Sequence, residues 1–221
     1  WSRRETTPTS APGRGGPSST TGYGARLMGR KLGLTRDQIV EAAAAIADRD
    51  GLDALSLASV ASTLGVRSPS LYNHVDGLAG LRRQLSIHAS SLLTTELADS
   101  IEGLEATQAL RAIAEQLRSF ALRHPGLYDS FLPAPTPQHD PEVAAALAAP
   151  VTVVASVLAG MEVDPAAVIP LIRTLRASVH GFVDLELQGG FGLPDDIDES
   201  FSTTIDLVID AISTHSTTRL P

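Results

Sequence analysis

Five short or planar hydrogen-bonding side chains, Ser68, Ser70, Tyr72, Asn73 and His74, fall within seven consecutive positions around Pro69. Hydroxyl, phenol, amide and imidazole groups at that density suit recognition of phosphate oxygens and base edges, because each can donate or accept and none carries a fixed negative charge. Arg67, immediately before them, adds a guanidinium that could reach phosphate or guanine. A second polar group lies far along the chain. Arg176, His180 and Asp184 recur every fourth residue among the apolar Leu175, Val179, Phe182 and Val183. That stripe reads either as a ligand-recognising or interface network, or as a satisfied histidine with ordinary i,i+4 pairs. Tyr128 and His124, beside Phe120 and Phe131, supply two further handles, and with Arg176 and His180 they are the candidates for a small-molecule site. His139, Asp140 and Glu142 could be drawn as metal ligands, but Pro137 and Pro141 make a loop followed by a helix cap the better account. Neither a metal nor a cofactor is expected. With no G-x-S-x-G, no P-loop and no G-x-G-x-x-G between a strand and a helix, the expectation is a protein that is not an enzyme.

The elements that must position these residues read as helices throughout. Thr35 can cap a helix whose Ile39, Ala43, Ile46 and Ala47 share one face until Gly51 stops it. A short helix follows Ser56. A third starts at Ser68 with Pro69 at its first position, where a missing N–H costs nothing. Longer helices are expected over about 77–98, over about 105–123 with Pro125 as terminator, from Asp140 and Pro141 to about 159, from Asp164 and Pro165 to about 188 with Pro170 as a possible kink, and from Asp198 to about 215. Four prolines between Leu132 and Pro141 make that stretch a loop. No strand alternation is found.

Length and composition bound the rest. The 221 residues hold 43% hydrophobic residues, but only nine are aromatic, which favours close-packed helices over a β-sandwich. The absence of cysteine removes disulfides and thiolate chemistry. No apolar run of membrane-spanning length is read, and no signal peptide, so a cytoplasmic protein with no membrane partner is expected. In the first 24 residues 17 are Gly, Pro, Ser or Thr, which marks residues 1–30 as a disordered tail. The chain opens on Trp1 instead of Met, so its native start is expected upstream or replaced, with Met28 a candidate. The net charge of −8 is unevenly spread: residues 1–34 carry +5 and residues 91–221 carry −12, so nucleic acid could meet only the N-terminal part.

The segment Leu55–Val75 has the spacing of a helix-turn-helix, with Ala61 where two helices cross, Gly65 at the turn and Leu71 pinning the second helix. Spacing alone fits DNA binding and also a generic helical corner with a polar face. Thr35, Ile39, Ala43 and Gly51, then Leu64-Gly65-Val66, then Leu71-Tyr72-Asn73-His74-Val75, resemble the N-terminal domain of the TetR family of transcriptional regulators over roughly residues 35–85. The resemblance implies an all-α protein: a three-helix DNA-binding domain, assigned to residues 31–80, and a helical ligand-binding and dimerisation domain, assigned to 81–215. It makes Thr35 a phosphate contact, Ser68, Pro69, Ser70 and Asn73 base or groove contacts, and Tyr72 and His74 mainly phosphate contacts. Many members carry a Lys and an acidic residue where Leu78 and Ala79 stand here, so Arg82 or Arg83 would have to replace that backbone contact. His180 to Gly192 resembles a subgroup named for a Trp-His-Gly signature, without its tryptophan.

The function implied is a homodimeric repressor released from double-stranded operator DNA by a small, largely apolar effector. The alternative is a helical binding protein or enzyme with a vestigial helix-turn-helix. Leu171, Leu175, Val179, Phe182, Leu185, Phe201, Ile205, Val208 and Ile212 are more apolar surface than one helical layer is expected to bury, so a dimeric four-helix bundle is anticipated, with Gly181 permitting close approach.

Overall fold

A computed structural model of the chain describes residues 33–130 and 140–217. The expected tail at 1–30, Phe131 and His139 lie outside the described residues. The compact unit Leu34–Pro221 contains eight α-helices among the described residues and no strand.

Helix α1, Arg36–Asp50, begins where Thr35 Oγ1 accepts the Gln38 amide at 3.2 Å while Gln38 Oε1 accepts the Thr35 amide at 3.1 Å. It ends at Gly51, whose φ of 83° an L side chain would resist. Ser56 caps α2, Leu57–Leu64, in the same reciprocal way with Ser59, and Gly65 closes it in the left-handed region. The third helix expected at Ser68 is instead a 3-10 segment, Ser68–Asn73. Pro69, its second residue, has no N–H to give, and Leu71 is the one buried residue of the segment.

Helix α3, Gly77–Ser100, is about 36 Å long at the standard helical rise. Its first turn lies beside the recognition segment and its remainder packs on α4, Ala106–Arg123, and α6, Pro141–Gly160. Pro125 does not simply terminate α4. It opens a further short helix, α5, Pro125–Ser130, that the sequence reading missed. Asp140 caps α6 through the Val143 amide at 3.1 Å, and Asp164 caps α7, Pro165–Leu187, through the Ala166 amide at 2.9 Å. The last helix, α8, Ile197–Thr217, is opened by Asp196 and not Asp198: Asp196 Oδ1 accepts the amides of Asp198 and Glu199.

One continuous apolar core runs from Ile39 in α1 to Ile212 in α8. This corrects the anticipated dimer surface. Leu171, Leu175, Val179, Phe182, Phe201, Ile205 and Ile212 are all buried within the protomer, and Phe182 stacks against Phe191 and Phe201 at 4.6 and 5.1 Å between ring centroids. Of that set Val208 is half-buried against the core and Leu185 stays exposed, as does Leu207, which was not among them. A second correction concerns membranes. Helices α6 and α7 are long and apolar enough to cross one, with mean hydropathies of 2.1 and 1.2 over their best windows. Both contribute Val154, Leu158, Leu175 and Val179 to the shared core, although only 22% and 33% of those windows are buried in the protomer.

Candidate DNA interface and effector cavity

The recognition segment presents its polar groups outward. Tyr72 is 62% exposed, Arg67, Pro69, Ser70 and Asn73 are exposed, and Ser68 and His74 are half-buried. Among the described residues none of these side chains hydrogen-bonds within the protein, so their donors and acceptors are available to a partner. Leu71 and Val75 anchor the segment from beneath. Thr35 is exposed at the start of α1, where its hydroxyl is engaged in the cap and its amide lies at a positive helix end. Arg36, which the sequence reading passed over, donates from Nε to the His74 carbonyl at 3.3 Å and ties α1 to the end of the recognition segment.

Arg82 and Arg83 were the expected replacements for a missing backbone contact. Arg82 is exposed and reaches the Leu52 carbonyl at 3.3 Å. Arg83 is committed elsewhere: its guanidinium grips both oxygens of Asp140 and meets Glu142 Oε2 at 2.6 Å. That fork holds α3 to the start of α6. It drives the Arg83 pKa up, and the Arg83 hydrogen bonds, helped by the Val143 amide, hold the Asp140 carboxyl down at about 2. Asp140 and Glu142 are thus a cap and an ion-pair partner, and no cluster able to hold a metal occurs among the described residues.

Within the body, α3, α4, α6 and α7 surround a cavity of about 310 Å³. Its wall is mainly Leu, Val and Ile, with Ser90, Tyr128 and Arg176 as polar members. Pro150 has no N–H to offer the Ala146 carbonyl one turn earlier, and the Ser90 hydroxyl donates to that carbonyl at 2.7 Å. Tyr128 is buried, with its hydroxyl 3.2 Å from His180 Nδ1. Burial pushes its pKa up to about 12 against the opposing pull of Arg176, so the phenol stays protonated.

Three of the four expected ligand handles therefore gather here: Tyr128 and Arg176 in the wall, His180 behind Tyr128. His124 does not join them. Its Nδ1 lies 2.9 Å from Asp48 Oδ2, on the side of α5 that faces α1, and its ring packs on Phe120. The other Asp48 oxygen accepts the Leu127 amide at 2.9 Å. Gly126 completes this junction, since a Cβ there would lie 2.6 Å from the Asp48 amide nitrogen and still closer to the Ala47 carbonyl. One six-residue helix thus touches α1 with one side and the cavity with the other. Asp48 and Gly126 carried no local signal, as 78 positions separate them. Arg118 was also missed. It pairs with Glu186 and Asp198, each at 2.7 Å, and lies over the Phe201 ring, binding α4 to α7 and α8.

An all-helical chain with a capped helix-turn-helix at one end and a cavity-bearing body behind it is a ligand-domain type of DNA-binding regulator in architecture. Comparison with known proteins gives the family. Residues 110–208 match the family described as "Tetracyclin repressor-like, C-terminal domain". An uncharacterised HTH-type transcriptional regulator of Mycobacterium tuberculosis is 36% identical over 188 residues, covering 85% of this chain and 84% of that protein. The HTH-type regulator YobS of Bacillus subtilis is 34% identical over 180 residues, covering 80% and 92%. Among solved structures, a TetR variant from Acinetobacter baumannii in complex with minocycline superposes with a TM-score of 0.63 at 21% identity, over 84% of this chain and 99% of that one. The chain belongs to the TetR family of transcriptional regulators. The Trp-His-Gly subgroup is not supported by these matches.

Proposed function

We propose that the protein is a cytoplasmic homodimeric repressor that leaves its operator when a small molecule fills the cavity, acting by binding and not by catalysis. Its reading head would be residues 31–80, with Thr35, Arg67, Ser68, Pro69, Ser70, Tyr72, Asn73 and His74 as the DNA contacts. Residues 81–215 would bind effector and dimerise. The observation that carries the reading is α5. Tyr128 faces the cavity while Gly126, the Leu127 amide and His124 grip Ala47 and Asp48 of α1. An effector that displaces Tyr128 shifts α5, and with no side chain at Gly126 to cushion the contact the shift passes to the α1 backbone. Helix α1 packs on α2 and, through Arg36, on the recognition segment.

Two heads must sit about 34–36 Å apart to enter successive major grooves, so a small change in their spacing is enough to lose the operator. The dimer would form through the outer faces of α7 and α8, where Leu185 and Leu207 are exposed and Gly181 has open space around it. Gel-shift titration of DNA upstream of the gene tests this. A saturable palindromic site bound by a dimer is expected; uniform affinity for unrelated DNA at matched salt would overturn it.

A further inference from the structure

We propose, building on the cavity as the effector site, that the effector is an amphipathic anion: an apolar body of modest size bearing one carboxylate, with that carboxylate held by Arg176. The cavity volume, about 310 Å³, sits at the low end for small-molecule sites. Its walls select an apolar body. Its polar chemistry then reduces to three groups, two of which are already engaged. The Ser90 hydroxyl donates to the Ala146 carbonyl, and the Tyr128 phenol is paired with His180.

Arg176 is exposed on α7 and differs from most other arginines of the body, though not from Arg173 on the same helix, which likewise makes no ion pair or hydrogen bond among the described residues and does not line the cavity. Arg83, Arg111, Arg118 and Arg123 each pair with a carboxylate of the protein, whereas Arg176, alone among charged groups in the cavity wall, has no ion pair and no hydrogen bond among the described residues. Acidic groups are close by but outside the wall. Asp184 accepts from Gln188 Nε2 at 2.7 Å, and the Asp129 carboxyl is pushed up by burial and then by Asp184. A cationic ligand would therefore meet Arg176 with no carboxylate in the wall to receive it. A neutral alcohol could use only the Tyr128 hydroxyl. An anion gains a charge-assisted, potentially bidentate bond that no other head group offers here.

The test uses the full chain and three probes of equal apolar length, decanoate, 1-decanol and decylamine, each below its micellar concentration, with affinity read by calorimetry. Decanoate is expected to bind at least about tenfold tighter than the other two, the worth of one charge-assisted hydrogen bond. Arg176→Gln should collapse that ratio to within about twofold and Arg176→Lys should restore part of it, because a single positive charge underlies the preference. Binding of all three probes without head-group preference would overturn the anion assignment and leave the cavity as effector site standing. Survival of the decanoate preference in Arg176→Gln would do the same. Failure of every probe to bind the wild-type chain would overturn both.

Discussion

On the recognition segment Tyr72 stands 62% exposed and the Asn73 side chain beside it makes no hydrogen bond among the described residues, whereas in the body Tyr128 is buried and paired with His180. The same side-chain chemistry is used in opposite senses. On the proposed function the outward-facing site needs only a scaffold that ends in the right place, because DNA would bring the missing partners. The inward-facing site needs α3, α4, α6 and α7, with Tyr128 of α5, to make a wall, and its buried polar groups Ser90 and Tyr128 are already paired within the protein. Hence the head can be built from local rules, and the cavity cannot.

The largest expected effect separates the protomer core from the dimer face. Ile205 is fully buried, so Ile205→Glu should unfold the chain, at a cost above about 4 kcal/mol from burying an unpaired carboxylate in place of packed atoms. Leu207, 67% exposed and two residues on, should behave differently: Leu207→Glu should leave the helical circular dichroism intact while sedimentation shows monomers. If both variants stay folded and dimeric, the boundary between core and interface is misplaced.

Next comes the junction that links the two regions. Gly126→Ala puts a methyl against the α1 backbone, which cannot rotate away, and should cost about 1–3 kcal/mol in denaturant unfolding. Operator affinity should then respond less to effector. Unchanged stability and full release would show that α5 does not bear on α1.

Within the head, Asn73→Ala should change base preference by about 1–3 kcal/mol at one base pair, while Tyr72→Ala should weaken all sequences evenly. Equal, unimpaired operator affinity in both would remove the recognition segment from the interface.

The smallest effect concerns acid. Asp140 is held at about 2 by Arg83 and the Val143 amide, below the unfolded carboxylate value of about 3.9. A group depressed in the folded state contributes stability that is present above its unfolded pKa and lost as pH falls through the folded one. Thermal melts should therefore show the wild-type chain losing more stability than Asp140→Asn between about pH 4 and pH 2. Identical acid slopes would mean that the Arg83 fork is not maintained in solution.

Much of the head was legible because its signals are short-range. Thr35, Ser56, Gly51 and Gly65 act on backbone groups within four residues of themselves, and the order of Ala61, Gly65 and Leu71 sets the helical corner. The recognition segment differs from the expectation in helix type, and its length does not decide this, because the six-residue α5 is an α-helix. In the body the caps at Asp140 and Asp164 were equally clear. Helix α5 was not, because Pro125 can stop one helix and start the next, and only packing against α1 decides between them.

By itself the sequence determined an all-helical chain, the capped corner that presents Ser68 to His74, and the residue types available to a small-molecule site. Those follow from backbone hydrogen-bond closure and apolar periodicity, which operate within a few positions along the chain. Tertiary structure alone decided that His124 would serve the α1 junction and not the cavity, that Arg83 would be spent on Asp140 while Arg176 found no partner among the described residues, and that Ile205 would be core while Leu207 faced outward. Each of those outcomes depends on which helix face meets which neighbour, and a single helix with apolar residues on more than one side does not specify that choice.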